Sequence, residues 1–155
     1  MTLAITRPEV QEYHRGEFVI STDRERLDLD VIYGFLTECY WAKGIPRELV
    51  ARSIENSLCF GVYSEGRQVG FARIISDYAT YAYIGDVFVL EPYRGHGLGK
   101  WLVECIMRDS APGIAPLELG DGRRPRAVRA IWFHEAEVAR KVHGTMRCGG
   151  LQTGG

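Results

Sequence analysis

Residues 87–102 read Val-Phe-Val-Leu-Glu-Pro-Tyr-Arg-Gly-His-Gly-Leu-Gly-Lys-Trp-Leu, an apolar strand that runs into a glycine-rich turn and then an amphipathic helix. The turn holds three alternate glycines, Gly95, Gly97 and Gly99. Glycine can take positive φ and has no Cβ, so successive backbone N–H groups can converge on an anion at the positive end of the helix dipole. Arg94 and Lys100 add positive charge beside it. The stretch predicts a phosphate-binding loop.

Spacing separates the known kinds of phosphate loop. The Walker pattern needs a glycine where Arg94 stands and a hydroxyl where Trp101 stands, so nothing here would hold magnesium. The Rossmann pattern needs a glycine at Lys100 or at Leu102, depending on the starting glycine. A strand-to-helix connection without a ligand is the structural alternative. Three alternate glycines at a helix start weaken the helix, however, and therefore need a reason.

The pattern that fits is Arg-x-x-Gly-x-Gly, carried by Arg94, Gly97 and Gly99 after the strand residues 86–89. In this pattern, and in its element order, the chain resembles the GCN5-related N-acetyltransferases (GNAT) over residues 17–107. The resemblance implies an α/β (α+β) domain with the acyl-CoA N-acyltransferase fold, in which helices flank a mixed central sheet. It also implies acetyl-coenzyme A as co-substrate.

The element order comes from hydrophobic periodicity and turn signals. It is strand 18–21, helix 29–40, a second helix with Pro46 in its first turn, strands 58–63 and 68–75 around a glycine turn, strand 81–90, and a central helix from Leu98 to about Met107. We expect one domain over residues 1–155, family-like over 1–107 and atypical over 108–155.

Composition excludes several classes of protein. A net charge of −1 gives no argument for nucleic acid or an anionic membrane as partner. No apolar run reaches the length of a membrane span, and the N-terminus lacks a signal-peptide layout, so we expect a cytoplasmic protein. The four cysteines are widely separated and the histidines form no ligand pattern, so no metal is expected. A homodimer remains an option.

The resemblance implies roles for individual residues. Backbone groups of Phe88, Val89 and Leu90 would bind the pantetheine arm and the thioester oxygen. The pyrophosphate would be bound by the loop, Arg94, Gly95, His96, Gly97, Leu98, Gly99 and Lys100. Asp86 is the carboxylate on this strand nearest the thioester stretch, so we expect it to orient or deprotonate the amine. A plain salt bridge is the alternative for Asp86.

The acceptor is expected to be a primary amine of a small molecule or peptide. The residues that could line its pocket are Tyr81, Tyr83, Arg73 and Asp77, although alternate aromatics on a strand are more often core packing. Tyr40 and Trp41 fall in the connection between the first two helices, where the family closes over the acceptor. Packing of a helix end is the alternative for this aromatic pair.

The last third changes character. Residues 108–155 hold eight basic and five acidic residues, whereas residues 1–107 hold eleven and fifteen, and all eight tyrosines lie at or before Tyr93. The family expects a strand, a helix and a tyrosine-containing motif here, and the tyrosine is its usual general acid. Arg123, Arg124, Arg126 and Arg129 could instead contact nucleic acid, but a basic cluster alone is weak evidence.

A frameshift explains the change. If codons for residues 120–145 are chosen among synonyms and read one base later, they can encode ATADAHGLYARFGFTKLKSPERYMER, which looks like a typical coenzyme-binding segment of the family. Residues 113–119 can likewise yield GLRRWSL, a plausible strand. We therefore expect a one-base shift near residues 108–111, and a divergent but functional half is the alternative. The hypotheses for function are an N-acetyltransferase, an impaired coenzyme A-binding remnant, and a basic-tailed nucleic-acid-binding module.

Overall fold

A five-stranded sheet with helices on both faces forms the scaffold in the computed structural model, which describes residues 8–78 and 82–109. The strands are β1 (Glu12–Arg15), β2 (Phe18–Ser21), β3 (Leu58–Ser64), β4 (Arg67–Ser76) and β5 (Ala82–Val89). The helices are α1 (Leu29–Glu38), α2 (Arg47–Glu55) and α3 (Leu98–Asp109), with short 3-10 helices at Arg24–Arg26 and Glu91–Tyr93. In the sheet the strands follow chain order, and each neighbouring pair is antiparallel.

The predicted α+β architecture is confirmed. The parallel strand pair that a mixed sheet requires would involve the strand expected from residues 113–119, and these lie outside the described residues. The expected change of character over 108–155 likewise falls almost wholly outside them. Within the described part of the chain, no helix is long and apolar enough to cross a membrane.

The helix starts follow from local capping chemistry. Asp28 precedes α1, and its Oδ1 accepts hydrogen bonds from the backbone N–H groups of Asp30 and Val31 at 2.9 and 3.3 Å. Pro46 is the residue immediately before α2, and not within its first turn as predicted. The first helix was predicted to reach residue 40, but it ends at Glu38 because Cys39 is extended. Tyr40 therefore stands outside the helix.

The β3–β4 hairpin is confirmed. Its two connecting residues, Glu65 and Gly66, have φ of 49° and 76°, as expected of the tight turn that matches the strand twist. Strand β1 was not predicted from the sequence. Its residues are exposed or half-buried and show no apolar alternation, so its extended form depends on pairing with β2.

Two apolar cores lie on opposite faces of the sheet. Against α3, the first core packs residues that include Phe18, Ile20, Phe60, Val62, Trp101, Leu102 and Ile106. Against α1 and α2, the second core packs Ile32, Leu36, Val50, Ile54, Cys59, Phe71 and Phe88. Burying one such side chain contributes about 1.5–3 kcal/mol. The two cores hold the end of β5 and the start of α3 in fixed positions, and the candidate site lies between these ends.

Candidate active site

The connection from β5 to α3 carries the glycine turn. Gly95 and Gly97 have φ of 86° and 71°, in the region that favours glycine. A Cβ on Gly95 would meet no heavy atom within 4 Å, and one on Gly97 would meet the Arg15 Nη1 atom at 4.0 Å. These two glycines are therefore required by backbone conformation and not by crowding. Gly99 has no positive φ, because it lies inside α3.

The loop presents a row of unused hydrogen-bond donors. None of the backbone N–H groups of residues 95–100 donates a hydrogen bond to another described residue. The first helical bond of α3 runs from the Trp101 N–H to the Gly97 carbonyl at 3.0 Å. The first turn of α3 contains no acidic residue. Donors of this kind at a helix N-terminus fit a phosphate group.

The side chains beside the loop differ in the contacts that they make with the rest of the protein. Arg94 turns back, and its Nε–H donates to the Val89 carbonyl at 2.9 Å, which braces the loop against the end of β5. His96 is exposed, with its ring centre 5.7 Å from that of Phe18. The Lys100 Nζ atom lies 4.0 Å from a Glu104 carboxylate oxygen. Leu98 is buried in the core.

The end of β5 offers backbone groups on one edge. The Leu90 N–H donates to the Val69 carbonyl at 2.8 Å, and Phe88 lies opposite Phe71 in β4. Because backbone polar groups alternate between the two edges of an antiparallel strand, those of Val89 point away from β4. Among the described residues, β5 pairs with β4 alone. The Phe88 ring stacks on Phe35, with 3.9 Å between the ring centres.

A bulge in β5 places Asp86. Phe88 faces Phe71 and Gly85 faces Arg73, so Asp86 and Val87 together oppose a single residue of β4. Asp86 takes a φ of 52°, a conformation that side-chain-bearing residues rarely adopt.

Asp86 was predicted as the base and Arg73 as a residue that lines the acceptor pocket, and the structure brings the two side chains into direct contact. The Arg73 Nε–H donates to Asp86 Oδ2 at 2.7 Å, and its Nη1 donates to Ser57 Oγ at 3.3 Å. The two charged side chains are 18% and 15% exposed. The ion pair considered as an alternative for Asp86 is therefore present, and it also fixes the direction of the carboxylate.

The predicted acceptor residues are more dispersed. Tyr83 is 42% exposed. Its neighbours Ala82 and Ile84, like Ala72 and Ile74 on either side of Arg73, point to the α3 core, so Tyr83 and Arg73 share the opposite face of the sheet. Tyr40 is 65% exposed and its ring meets Trp41 edge-on, with 5.2 Å between ring centres. Trp41 is half-buried against the second core. Tyr81 lies outside the described residues.

Sequence reasoning missed a cleft next to Arg73, whose hydrogen-bond partner Ser57 lines it. Its volume is about 240 Å³, and its lining includes Asp23, Arg24, Ser57, Cys59 and Tyr78. Arg24 donates to the carbonyls of Glu55 and Ser57 at 2.8 and 3.1 Å. Burial raises the pKa of the Cys59 thiol to about 12, so this thiol stays protonated at neutral pH. No spacing motif signals this cleft, because its residues come from four separate segments.

Metal ligands were not expected. Within the described ranges, no three histidine, cysteine, aspartate or glutamate side chains come together in a way that could hold a metal ion.

The chain is similar to acetyltransferases. The sequence model of the Acetyltransferase (GNAT) family matches residues 12–113. A Gibberella zeae protein named a "putative acetyltransferase" is 30% identical over 122 residues, which cover 66% of this chain and 68% of that protein. An "uncharacterized N-acetyltransferase" of Prochlorococcus marinus is 35% identical over 96 residues, covering 59% of this chain and 52% of that protein.

The chain is also similar to a solved structure of an acetyltransferase. A crystal structure from Xanthomonas campestris pv. campestris, described as a "putative acetyltransferase belonging to the gnat family", aligns with a TM-score of 0.57 and 48% identity. The alignment covers 67% of this chain and 68% of that one. The family match spans the sheet, the glycine loop and α3. The chain belongs to the GNAT family of acetyltransferases.

Proposed function

We propose that this chain is an N-acetyltransferase that moves an acetyl group from acetyl-coenzyme A to a primary amine of a small molecule or a peptide. The observation that carries the proposal is the row of amides over residues 95–100, which donate to no other described residue and follow a strand, β5, that pairs with β4 alone within the described ranges. An anion held by the loop would leave the rest of an elongated ligand free to follow the edge of β5 that faces away from β4. Coenzyme A has this shape, with phosphates at one end and a long arm.

The loop residues would hold the diphosphate. The backbone amides of residues 95–100 and the positive end of the α3 dipole favour an anion, and Gly95 and Gly97 allow the conformation that exposes these amides. Of the three strand residues assigned to the arm, Val89 directs its N–H away from β4, whereas its carbonyl accepts the Arg94 Nε–H. Phe88 and Leu90 would fix the strand beneath the arm.

When bound, acetyl-coenzyme A supplies a thioester that an amine nitrogen can attack. The amine must first lose a proton, since its ordinary pKa lies well above neutral pH. Asp86 would accept that proton, directly or through water, or hold the ammonium group in place. Arg73 then acts as a positioning residue, because its bond to Asp86 Oδ2 leaves the other carboxylate oxygen to face the amine.

The amine nitrogen forms a bond to the acetyl carbon, the carbon–sulfur bond breaks, and the departing thiolate takes up a proton. The family usually supplies this proton from a late tyrosine, but this sequence has no tyrosine after Tyr93. The acceptor itself would meet Tyr83 and the pair Tyr40 and Trp41, with Tyr81 as a further candidate. The cytoplasmic location and the homodimer also remain predictions.

The second candidate function is a coenzyme A-binding chain with impaired turnover. Two observations favour it: the family match ends at residue 113, next to the shift expected near residues 108–111, and the late tyrosine is missing. Such a chain would keep the loop and lose the groups that complete catalysis.

One experiment separates the candidates. The full chain is titrated calorimetrically with coenzyme A and acetyl-coenzyme A, and thiol release is then followed with a panel of small amines and amine-bearing peptides. Binding with turnover supports the transferase. Binding without turnover supports the impaired chain. If neither coenzyme binds, the loop assignment is wrong, and an oligonucleotide titration then tests the basic-tailed alternative.

A further inference from the structure

We propose that Arg15 is a phosphate-binding residue of this site, and that its guanidinium pairs with a phosphate group of the coenzyme A bound by the loop. The inference rests on the proposed function, because it assumes that the loop amides bind coenzyme A. It adds a side chain from β1, a strand that lies more than eighty residues earlier in the chain.

Position is the first argument. Arg15 ends β1 and lies opposite Phe18 in β2. Its Nη1 atom is 4.0 Å from the place where a Cβ on Gly97 would stand. The same end of the hairpin meets the loop again where the rings of Phe18 and His96 approach each other. The guanidinium is therefore next to the second positive-φ glycine of the loop.

The second argument is how Arg15 is held. Its Cζ atom lies 5.0 Å from the centre of the Trp101 ring, in the first turn of α3, and Trp101 is 8% exposed. A cation over an indole ring is attracted by it but keeps its charge and its N–H donors. The contact therefore orients the guanidinium beside the loop and leaves its donor edge for another partner.

Free charge is the third argument. Arg15 is exposed, and no described carboxylate lies within ion-pairing distance of it. The acid nearest in sequence on β1, Glu12, pairs with Arg26 and approaches His14. Arg94 is turned to the Val89 carbonyl, and Lys100 is 74% exposed beside Glu104. Arg15 is thus a cation at the loop whose guanidinium has neither a carboxylate partner nor a hydrogen bond to a backbone carbonyl among the described residues.

Chemistry decides the ligand group. A guanidinium presents a planar fork of donors that matches phosphate oxygens in pairs. The loop amides are neutral dipoles, whereas the diphosphate and the 3′-phosphate of coenzyme A carry several negative charges. A fixed cation beside the amides would neutralise part of that charge. Either phosphate group satisfies this chemistry, and the experiment distinguishes them.

The test uses calorimetric titration of the full chain with coenzyme A and with 3′-dephospho-coenzyme A at several salt concentrations. Arg15→Gln is expected to weaken coenzyme A binding about tenfold or more and to flatten the dependence of affinity on salt. Arg52→Gln is the matched control. It removes the same charge from an exposed position on α2, a helix that packs on the opposite face of the sheet. Its affinity is expected to stay within about twofold.

The outcomes separate cleanly. A loss that is equal for both ligands places Arg15 at the diphosphate, and a loss confined to coenzyme A places it at the 3′-phosphate; both support the proposal. Unchanged affinity in Arg15→Gln overturns it while the proposed function stands. If the unmodified chain binds neither ligand, the proposed function fails and the role of Arg15 fails with it.

A second variant tests whether Arg15 only supports the fold through its contact with Trp101. Arg15→Lys keeps the charge and the contact with the indole ring but loses the planar fork, so it is expected to recover part of the affinity and the salt dependence. If Arg15→Lys and Arg15→Gln lose affinity equally, with the salt dependence of the unmodified chain, Arg15 only supports the fold and the proposal is wrong.

Discussion

Arg73 and Asp86 form an ion pair across β4 and β5, with 2.7 Å between the Nε and Oδ2 atoms, and each side chain is less than one-fifth exposed. Removing one member of a largely buried pair leaves the other without compensation for its lost hydration. Asp86 also holds a φ of 52°, which costs about 1–2 kcal/mol for a residue with a Cβ. A carboxylate kept in place against this cost is a reasonable candidate for a proton-handling group.

Asp86→Asn is therefore predicted to lower turnover by about 10²–10⁴-fold while coenzyme A affinity changes less than about twofold. Asparagine tolerates the left-handed conformation, so the backbone of the bulge should persist. The free energy of unfolding should fall by about 1–3 kcal/mol, because Arg73 loses a charged partner. Thiol-release assays, calorimetry and urea unfolding measure the three effects.

Glu48→Gln is the control for Asp86→Asn, because Glu48 is exposed in the first turn of α2 and belongs to neither β4 nor β5. It should leave turnover and coenzyme A affinity unchanged and lower the free energy of unfolding by at most about 1 kcal/mol, since an acid in the first turn favours the helix dipole. Full turnover in Asp86→Asn, together with the expected loss of stability, would show that Asp86 serves only as the ion-pair partner of Arg73.

Gly97→Glu is predicted to abolish coenzyme A binding. The substitution puts a Cβ on a residue with φ of 71° and brings a negative charge to the amides of residues 95–100. The backbone conformation alone costs about 1–2 kcal/mol, and charge repulsion with phosphate adds to it. Titration calorimetry with coenzyme A checks the prediction.

Gly44→Glu separates strain from charge at the loop. Gly44 has the same φ of 71° but lies between α1 and α2. A Cβ there would meet nothing within 4 Å, and a Cβ on Gly97 would meet Arg15 Nη1 at 4.0 Å, so neither position is crowded. This control should lose similar stability and keep its affinity for coenzyme A. If Gly97→Glu binds as tightly as Gly44→Glu, the loop does not hold the phosphates.

The sequence predicted those parts of the fold whose cause is local. The glycine turn before α3 and the turn at Glu65 and Gly66 can be predicted from the sequence, because positive φ restricts the choice of residue at each place. Helices α1 and α2 follow from apolar stripes and capping residues next to them in the chain.

What the sequence could not predict depends on pairing between distant segments. Strand β1 consists of Glu12, Tyr13, His14 and Arg15, which carry no apolar alternation, and β2 supplies its hydrogen bonds. The contact between Arg73 and Asp86 depends on the β4–β5 register and on a bulge that no spacing rule locates. The hydrogen bond from the Arg94 Nε–H to the Val89 carbonyl was not predicted either, and the role of Arg94 beside the phosphates stays a prediction.

Alkaline pH is predicted to destabilise the protein. Burial raises the pKa of the Cys59 thiol from its ordinary 9.0 to about 12 and that of the Tyr63 phenol from 10.0 to about 12. The folded protein then holds these protons more tightly than the unfolded chain. The stability they contribute is fully present below pH 9 and is lost as the pH rises toward 12. Urea unfolding between pH 8 and 11 should show a falling midpoint.

Two variants test whether Tyr63 and Cys59 cause this loss of stability at alkaline pH. The Tyr63 hydroxyl is buried without a hydrogen-bond partner among the described residues, so Tyr63→Phe should keep or raise stability at pH 7 by about 1 kcal/mol. Combined with Cys59→Ala, it should flatten the fall in midpoint between pH 9 and 11. A midpoint that still falls as steeply in the double variant would assign the effect to other groups.

Restoring the expected reading frame is predicted to raise turnover by about a hundredfold or more. A gene read one base later from the region of residues 108–111 would encode the family-like string with its Gly-Leu-Tyr, and so supply the tyrosine expected to protonate the thiolate. The match to the family sequence model ends at residue 113, close to the expected shift. The restored chain should also unfold at higher urea concentration than the present chain, because the present tail would lack the family's closing elements.

Three measurements decide the frameshift hypothesis. Intact-mass spectrometry of the expressed protein shows whether residues 110–155 exist as written, and the DNA of that region shows whether its codons can encode the family string one base later. Codons that cannot do so end the hypothesis. If they can, the restored chain is compared with the present one by thiol release. Equal turnover in both would mean that the present tail, despite having no tyrosine, already completes the active site.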